Sequence, residues 1–241
     1  MADFKYRGSE LETFAHAVNW KRYWSELIVP FLGHDVLEVG SGIGANTAVL
    51  APKHPGRWTS LEPDRELLEE ARQRLVAAGV GHCCSFECGT VRSLEASRRF
   101  DSVLYLDVLE HIENDRLELE DAAQRLIPGG RVLVLAPAHQ ALFTEFDRAI
   151  GHVRRYDKQS LAAIAPAALT RERLFYVDSV GLGASLANRW FLHQSAPALA
   201  QIEFWDRMMV PISRVLDPLL LRSLGKSIIG VWRSTPESRP R

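Results

Sequence analysis

Residues 36 to 44 read Val-Leu-Glu-Val-Gly-Ser-Gly-Ile-Gly: an apolar run, an acid at Glu38, then glycine at every second position. Ala45 to Leu50, which follow, suit a helix. Strand, glycine turn and helix together let a nucleotide lie against bare backbone, because glycine carries no Cβ to collide with it. The chemistry indicated is binding of a nucleoside-containing cofactor, and two classes compete. Gly40-x-Gly42-x-x-Ala45 satisfies the dinucleotide pattern, which would make the chain an NAD(P)-dependent oxidoreductase. Glu38 favours the other class. A pyrophosphate is best served by a helix N-terminus with no carboxylate beside it. S-adenosylmethionine has no phosphate and carries a sulfonium and an ammonium. A carboxylate at Glu38 suits that ligand, directly or by orienting the glycine loop. Glu38 could instead be a buried acid capping the turn's own amides.

Trp58 to Glu62 read as a second strand that ends in an acid. An acid there can accept hydrogen bonds from both ribose hydroxyls, in either cofactor class. Its structural alternative is a first-turn acid on the helix that starts near Arg65.

With these stretches in view, the chain resembles the class I S-adenosylmethionine-dependent methyltransferases. The resemblance rests on Val36 to Gly44, Leu61-Glu62-Pro63-Asp64, Leu106-Asp107-Val108-Leu109-Glu110-His111-Ile112 and Leu126-Ile127-Pro128-Gly129-Gly130. It implies that Glu38, Gly40, Ser41, Gly42 and Gly44 hold the methionyl part of the cofactor. Glu62 and Pro63 would take the ribose, Gly89 and Thr90 would wall the adenine, and Leu106 and Asp107 would lie near the transferable methyl. The family often has an acid after its third strand to read the adenine amine. Here that stretch is Glu87-Cys88-Gly89-Thr90.

Groups able to work on a methyl acceptor concentrate after the fifth expected strand. Residues 137 to 147 offer His139, Glu145 and Asp147, and residues 151 to 156 add His152, Arg154, Arg155 and Tyr156. His139 and His152 are candidate bases, and so is His111, which can equally be a helix-start residue. Glu145, Asp147, Arg154, Arg155 and Tyr156 are candidate acceptor contacts, since guanidinium pairs well with carboxylate or phosphate. At least one of the arginines is expected to pair with Asp147 or Asp157. Pro137, His139, Leu142, Phe143, Asp147, Gly151, His152, Arg154, Arg155 and Tyr156 resemble a subset of the family often found beside glycosyltransferases in surface-polysaccharide pathways. That resemblance raises a sugar or lipid-linked sugar as acceptor, with small carboxylic acids as the other option.

These residues must be positioned by alternating strands and helices. Strands are expected at 35–39, 57–61, 83–87, 102–106, 131–136, 173–178 and 227–232, and helices at 65–78, 115–126 and 159–168. The pattern calls for a Rossmann-like, seven-stranded, mostly parallel sheet with helices on both faces and the last strand antiparallel. Pro128-Gly129-Gly130 marks a break from helix to strand. The expected organisation is one methyltransferase domain over 1–233. Residues 1–30 form a helical cover, 182–222 a helical insertion, and 234–241 a disordered tail.

The bulk composition narrows the partners. Lys plus Arg number 29 against 30 Asp plus Glu, so no basic excess calls for a nucleic-acid partner. No signal peptide and no transmembrane run is read from the sequence, and a cytoplasmic setting is expected. Residues 208 to 221 are apolar but broken by Arg214, Asp217 and prolines. They suggest a greasy surface able to touch a membrane peripherally. Cys83, Cys84 and Cys88 lack a zinc spacing, so they are expected to be buried free thiols and no metal is expected. A non-catalytic adenosylmethionine-binding protein is the remaining alternative. It would be expected to lack the acid–base groups of residues 139 to 156.

Overall fold

The computed structural model describes residues 4–6, 8, 10–187 and 198–235. Its strands are β1 (Asp35–Val39), β2 (Arg57–Glu62), β3 (Cys84–Cys88), β4 (Phe100–Leu106), β5 (Leu126–Pro137), β6 (Leu169–Val177) and β7 (Ser227–Ser234). They form one 7-stranded sheet in the order β3-β2-β1-β4-β5-β7-β6. β1 pairs in parallel with β2 and β4, β2 with β3, and β4 with β5. β7 runs antiparallel to both β5 and β6. The expected Rossmann-like sheet is therefore present. Strand order reverses between β1 and β4, and the crevice beyond their carboxyl ends is where open α/β sheets take ligands.

Successive residues of a strand face opposite sides, and both sides here are buried. Val36, Leu104, Leu106, Leu133 and Leu135 pack with Trp20, Tyr23 and Trp24 of α2 (Val18–Ile28). Leu37, Val39, Val103, Tyr105, Val132 and Val134 pack on the other side with Leu119 and Ala122 of α5 (Asp115–Gln124). α4 (Arg65–Ala77) carries the chain from β2 to β3 and is N-capped by Asp64, whose carboxylate accepts from Glu66 and Leu67 N–H. α1 (Glu10–Ala15) and α3 (Thr47–Leu50) are shorter, as are α6 (Glu145–Ala149) and α7 (Lys158–Ile164) between β5 and β6.

Two strand starts differ most from expectation. β5 begins at Leu126, so Pro128-Gly129-Gly130 lies inside the strand and not before it. The pairing with β4 slips between Phe100 and Ser102, and Gly129 takes φ 81°, so the glycines form an irregularity that the ladder bridges. β6 begins at Leu169, ahead of the expected 173, because pairing with β7 extends to Ser234. Thr170, Arg171, Glu172 and Arg173 give no apolar alternation there, as suits an edge strand.

Between β6 and β7 lie α8 (Ser179–Ala187), α9 (Leu199–Phe204) and α10 (Val210–Leu219). A π-helical turn, Trp205–Met209, joins the last two. Buried acids lock this region to the body. Asp206 accepts from the N–H groups of Asn19 (3.1 Å) and Trp20 (2.8 Å) at the start of α2. Asp217 accepts from the Asp178 N–H (2.7 Å), the Ser179 N–H (3.0 Å) and the Tyr23 hydroxyl (2.7 Å). The outer face leaves Phe204, Met208, Ile212, Val215 and Leu219 exposed, a greasy surface where the sequence suggested one. Among the described residues no helix is long and apolar enough to cross a membrane. The cysteines are free, but Cys88 is exposed and Cys83 and Cys84 are only half-buried, so the expected burial does not hold. Parts of the expected insertion (188–197) and tail (236–241) lie outside the described residues.

Candidate active site

The turn after β1 uses left-handed backbone at Gly40 (φ 66°) and Gly42 (φ 51°). A Cβ on Gly40 would sit 2.8 Å from both Val108 methyl carbons. Gly40 and Ser41 both donate backbone N–H to the Leu61 carbonyl, at 2.8 and 3.2 Å, which binds the turn to the end of β2. From that end Glu62 reaches back. Its Oε2 accepts the Gly42 N–H at 2.8 Å and its Oε1 accepts the Asp64 N–H at 2.9 Å. The α4 cap is Asp64, so Glu62 is not spent on that helix. Burial pushes the Glu62 carboxyl up, against the pull of the Asp64 and Gly42 N–H groups. Each carboxylate oxygen keeps a further lone pair for another donor.

Glu38 is almost fully buried, and its Oε2 accepts from the Thr47 hydroxyl (2.6 Å) and the Trp58 indole N–H (2.9 Å). It thereby ties β1 to the first residue of α3 and to β2, and does not cap the turn's amides. Burial pushes its carboxyl up to about 7, with Thr47 and Trp58 opposing. Ser41 Oγ is buried without a hydrogen-bond partner among the described residues.

At the end of β4, Asp107 takes φ 58° and donates its N–H to the Leu135 carbonyl at 2.8 Å. Solvent reaches this residue, yet protein surrounds the crevice it stands in. Burial pushes its carboxyl up to about 6, and the positive fields of His152, Lys21 and Lys226 oppose the rise. Leu106, one residue earlier, is buried. Beyond β3, Gly89 donates to the Glu62 carbonyl at 3.1 Å, and Thr90 accepts a hydrogen bond at its carbonyl from the Ser93 hydroxyl at 2.7 Å. Pro63 is half-buried, and Glu87 pairs with Arg98.

The N-terminal segment lies across this ground. Leu11 comes within 3.7 Å of where a Gly42 Cβ would stand. The Tyr6 N–H donates to Asp64 Oδ2 at 2.8 Å, its hydroxyl donates to Glu10, and its ring meets His111 edge-on at 5.7 Å.

The loop after β5 supplies only part of its expected groups to the crevice. His152 Nδ1 lies 2.9 Å from Asp147 Oδ1, and its ring meets His111 at 4.6 Å between centroids. Its Nε2 stands 3.7 Å from Glu110 Oε1. Glu110 is fully buried, both of its carboxylate oxygens lack hydrogen-bond partners, and burial pushes its carboxyl well above the usual range. Burial also pulls His111 down to about 4, with His152 adding to the effect.

Asp147 is a hub. Besides His152 it accepts from Arg155 Nε and Nη2, each at 2.9 Å, and from Thr144 at the start of α6 (Glu145–Ala149). Burial opposes its ionisation, but His152 and Arg155 outweigh burial and hold the carboxyl well below the usual carboxylate range. This is the pairing of one arginine with Asp147 that the sequence led us to expect. Arg154 pairs with Asp115 and donates to the Ile112 (3.1 Å) and Glu113 (2.8 Å) carbonyls. The buried Tyr156 hydroxyl donates to Asp115 Oδ2 at 2.8 Å. Glu145 is exposed and pairs with Arg148. His139 sits apart, with φ 65°, Nε2 3.0 Å from the Gly225 carbonyl oxygen and its ring 4.8 Å from that of Tyr176.

Glu110, Lys21 and Lys226 belong to this site and were not picked out from the sequence. Lys21, on α2, is buried, and burial pulls it down to about 8, with Asp107 and Asp206 opposing. Lys226 lies just before β7, and only the fold brings it towards Asp107. The one signal for Glu110 was its place beside His111 in a stretch, Leu106 to Ile112, that also carries Asp107.

Stretches of the chain are similar to known proteins. Residues 36–130 match the family described as "Methyltransferase domain". The chain is 29% identical over 136 residues to a demethylmenaquinone methyltransferase of Tropheryma whipplei, covering 54% of this chain and 53% of that one. It is 30% identical over 149 residues to a ubiquinone biosynthesis O-methyltransferase of Xylella fastidiosa, covering 54% and 59%. The chain thus spans about half the length of these curated relatives. Among solved structures it is similar in fold to the N-methyltransferase NodS of Bradyrhizobium japonicum in complex with S-adenosyl-L-homocysteine. The TM-score is 0.56 at 17% identity, over 89% of this chain and 86% of that one. Residues 36–130 therefore resemble a methyltransferase domain, and the chain shares its Rossmann-like fold with that structure.

Proposed function

We propose that the chain is an S-adenosylmethionine-dependent methyltransferase acting on an oxygen of a small-molecule acceptor. The observation that carries this reading is the lock between Gly42 N–H and Glu62 Oε2, which fixes an acceptor-only carboxylate beside the glycine turn. The residues present fit the cofactor. Glu62 keeps lone pairs for ribose hydroxyls. The unpartnered Ser41 hydroxyl has a bond left to give, and bare glycine backbone leaves room. Asp107 supplies the negative charge a sulfonium and an ammonium call for, where a pyrophosphate would be repelled. Tyr6 and Leu11 are the cover over the bound cofactor.

When bound, adenosylmethionine supplies an electrophilic methyl on a sulfonium. The chain's own task is to hold an acceptor atom about 3–3.5 Å from that carbon and in line with the breaking bond. Asp107, His111 and His152 are gathered where that atom must arrive. His139 is a base candidate only if the acceptor extends towards Tyr176. Arg154, Arg155 and Tyr156 border a depression with Asp115, Gln140, Asp157 and Ser160, where the arginines would meet a polar part of an acceptor although the two acids already balance part of their charge. That depression supports the sugar-linked or carboxylate classes alongside simple hydroxyls. The names of the relatives, which include O-methyltransferases, support oxygen as the atom methylated. The free thiols support a reducing, cytoplasmic setting.

The test is transfer of labelled methyl from adenosylmethionine to a panel of phenols, carboxylic acids, nucleotide sugars and lipid-linked sugars. Label recovered on oxygen in one class supports the reading. Label recovered only on nitrogen acceptors added as a control would overturn the oxygen assignment.

A further inference from the structure

A fully buried carboxylate with no hydrogen-bond partner is expensive unless a cation faces it. Glu110 is such a group: it is 0% exposed, and neither Oε1 nor Oε2 has a partner among the described residues. The nearest ring nitrogen, His152 Nε2, is 3.7 Å from Oε1, beyond hydrogen-bond reach. His111 completes the group: one ligand atom from each of Glu110, His111 and His152 lies within 4.8 Å of the others. Two imidazoles and one carboxylate at that spacing are a ligand set.

We infer that Glu110, His111 and His152 bind a divalent first-row transition ion beside Asp107. The surroundings are those of a built site. A ligating histidine usually gives its other ring nitrogen to a carboxylate or a carbonyl, which fixes tautomer and orientation. His152 Nδ1 is held by Asp147 at 2.9 Å, leaving Nε2 to face Glu110. Asp147 is held in turn by Arg155 and Thr144. His111 Nδ1 lies 3.6 Å from where a Cβ on Gly151 would stand, so this ring edge is turned to the loop that carries His152. The Val153 N–H donates to the Glu110 carbonyl at 2.9 Å, pinning the loop that carries His152 onto the turn that carries the other two ligands. Mixed imidazole and carboxylate donors suit Zn²⁺, Mn²⁺, Fe²⁺ or Co²⁺ better than Ca²⁺ or Mg²⁺. Three protein ligands leave coordination positions open. Resting on the methyltransferase reading, those positions define the acceptor as one whose oxygen can ligate a metal, and they make His111 and His152 ligands and not bases.

The test uses the untagged full chain, stripped with chelator and dialysed. Co²⁺ is titrated by visible absorption, and Zn²⁺ and Mn²⁺ by calorimetry and thermal shift. One equivalent should bind and raise Tm. Glu110→Gln and His152→Ala should each weaken binding at least about tenfold, and Asp147→Asn by about 10–100-fold. Exposed His82→Ala should leave binding unchanged. Metal-free Glu110→Gln should be at least as stable as the wild type, since it removes an unpaired buried acid, so loss of binding in that variant cannot be put down to misfolding. Absence of saturable metal binding by the wild type, or full affinity in Glu110→Gln, would overturn the inference. Adenosylhomocysteine titrated into the same metal-free protein reports on the methyltransferase reading separately.

Discussion

Gly42 gives its backbone N–H to Glu62 Oε2 at 2.8 Å, so the turn after β1 and the acid ending β2 form one rigid unit. The bond joins two groups of the chain itself, and on the reading proposed above it braces the surface that would meet the cofactor.

Glu62→Ala should lower affinity for adenosylhomocysteine by about one to two decades, from loss of charge-assisted hydrogen bonds worth ~1.5–3 kcal/mol. It should also lower folding stability, because the Gly42 and Asp64 N–H groups lose their acceptor. Calorimetry and denaturant melts read the two effects separately. Unchanged affinity with reduced stability would mean that Glu62 only braces the turn.

Gly40→Ala should disturb folding more than Gly42→Ala. Both glycines have positive φ, but the new Cβ at position 40 would meet Val108 at 2.8 Å, while at position 42 the nearest atom is Leu11 at 3.7 Å. The backbone penalty is roughly 1–3 kcal/mol at either site, and overpacking adds about 1–3 kcal/mol at position 40. Urea unfolding of both variants decides it. Equal losses would contradict the close approach of Val108.

Glu38 gives a pH signature. Its carboxyl is raised to about 7 in the folded protein by burial, against an ordinary 4.5. A group raised on folding lends stability that is full below its unfolded pKa and is lost as pH rises through the folded one. The stability of the wild type relative to Glu38→Gln should therefore be greatest below about pH 4.5, fall between 4.5 and 7, and level off above. Thermal melts of both proteins across that range test this. A difference that grows with pH would show that Glu38 is ionised in the fold.

Most of the sheet was readable from the sequence because each central strand is an apolar run closed by a turn signal, as in Val36 to Gly40. The start of β6 was not, because its first residues are charged and only pairing with β7 makes them a strand. Glycine and acid positions around Glu62 were readable because their chemistry is local. The Glu110–His111–His152 group was not, since His152 comes from a distant loop and a buried acid looks the same in sequence as an exposed one. Arg154, Arg155 and Tyr156 stood out as polar groups after a central strand and a pairing with Asp147 was expected, but the engagement of Arg154 and Tyr156 by Asp115 is not revealed by spacing alone.

The histidines of that loop should not behave alike. His152 faces Asp107 electrostatically, whereas His139 contacts the Gly225 carbonyl and Tyr176. As base or as metal ligand, His152 should be worth about 10²–10⁴ in kcat when replaced by Ala. His139→Ala should cost far less, and both variants should keep cofactor affinity. Steady-state kinetics with any accepted substrate test the order. A larger loss at His139 would move the acceptor site towards Tyr176.

Arg155→Ala should destabilise the fold by about 3 kcal/mol or more, since it leaves the buried Asp147 carboxylate without its guanidinium. Arg154→Ala removes a more exposed group and should cost about 1 kcal/mol or less. If either arginine also clamps an anionic acceptor, KM rises in a variant that still folds. Chemical denaturation of both proteins checks the ranking, and equal costs would contradict the buried pairing at Asp147.

The central claim, that the crevice at the ends of β1, β2 and β4 takes adenosylmethionine and not a dinucleotide, is tested most directly by calorimetric titration of the full chain. Adenosylhomocysteine and NADH are compared under the same conditions. Adenosylhomocysteine should bind with one-to-one stoichiometry and raise Tm with concentration, because it favours the folded state by mass action. NADH should give no saturable heat. Saturable binding of NADH with none of adenosylhomocysteine would contradict the account.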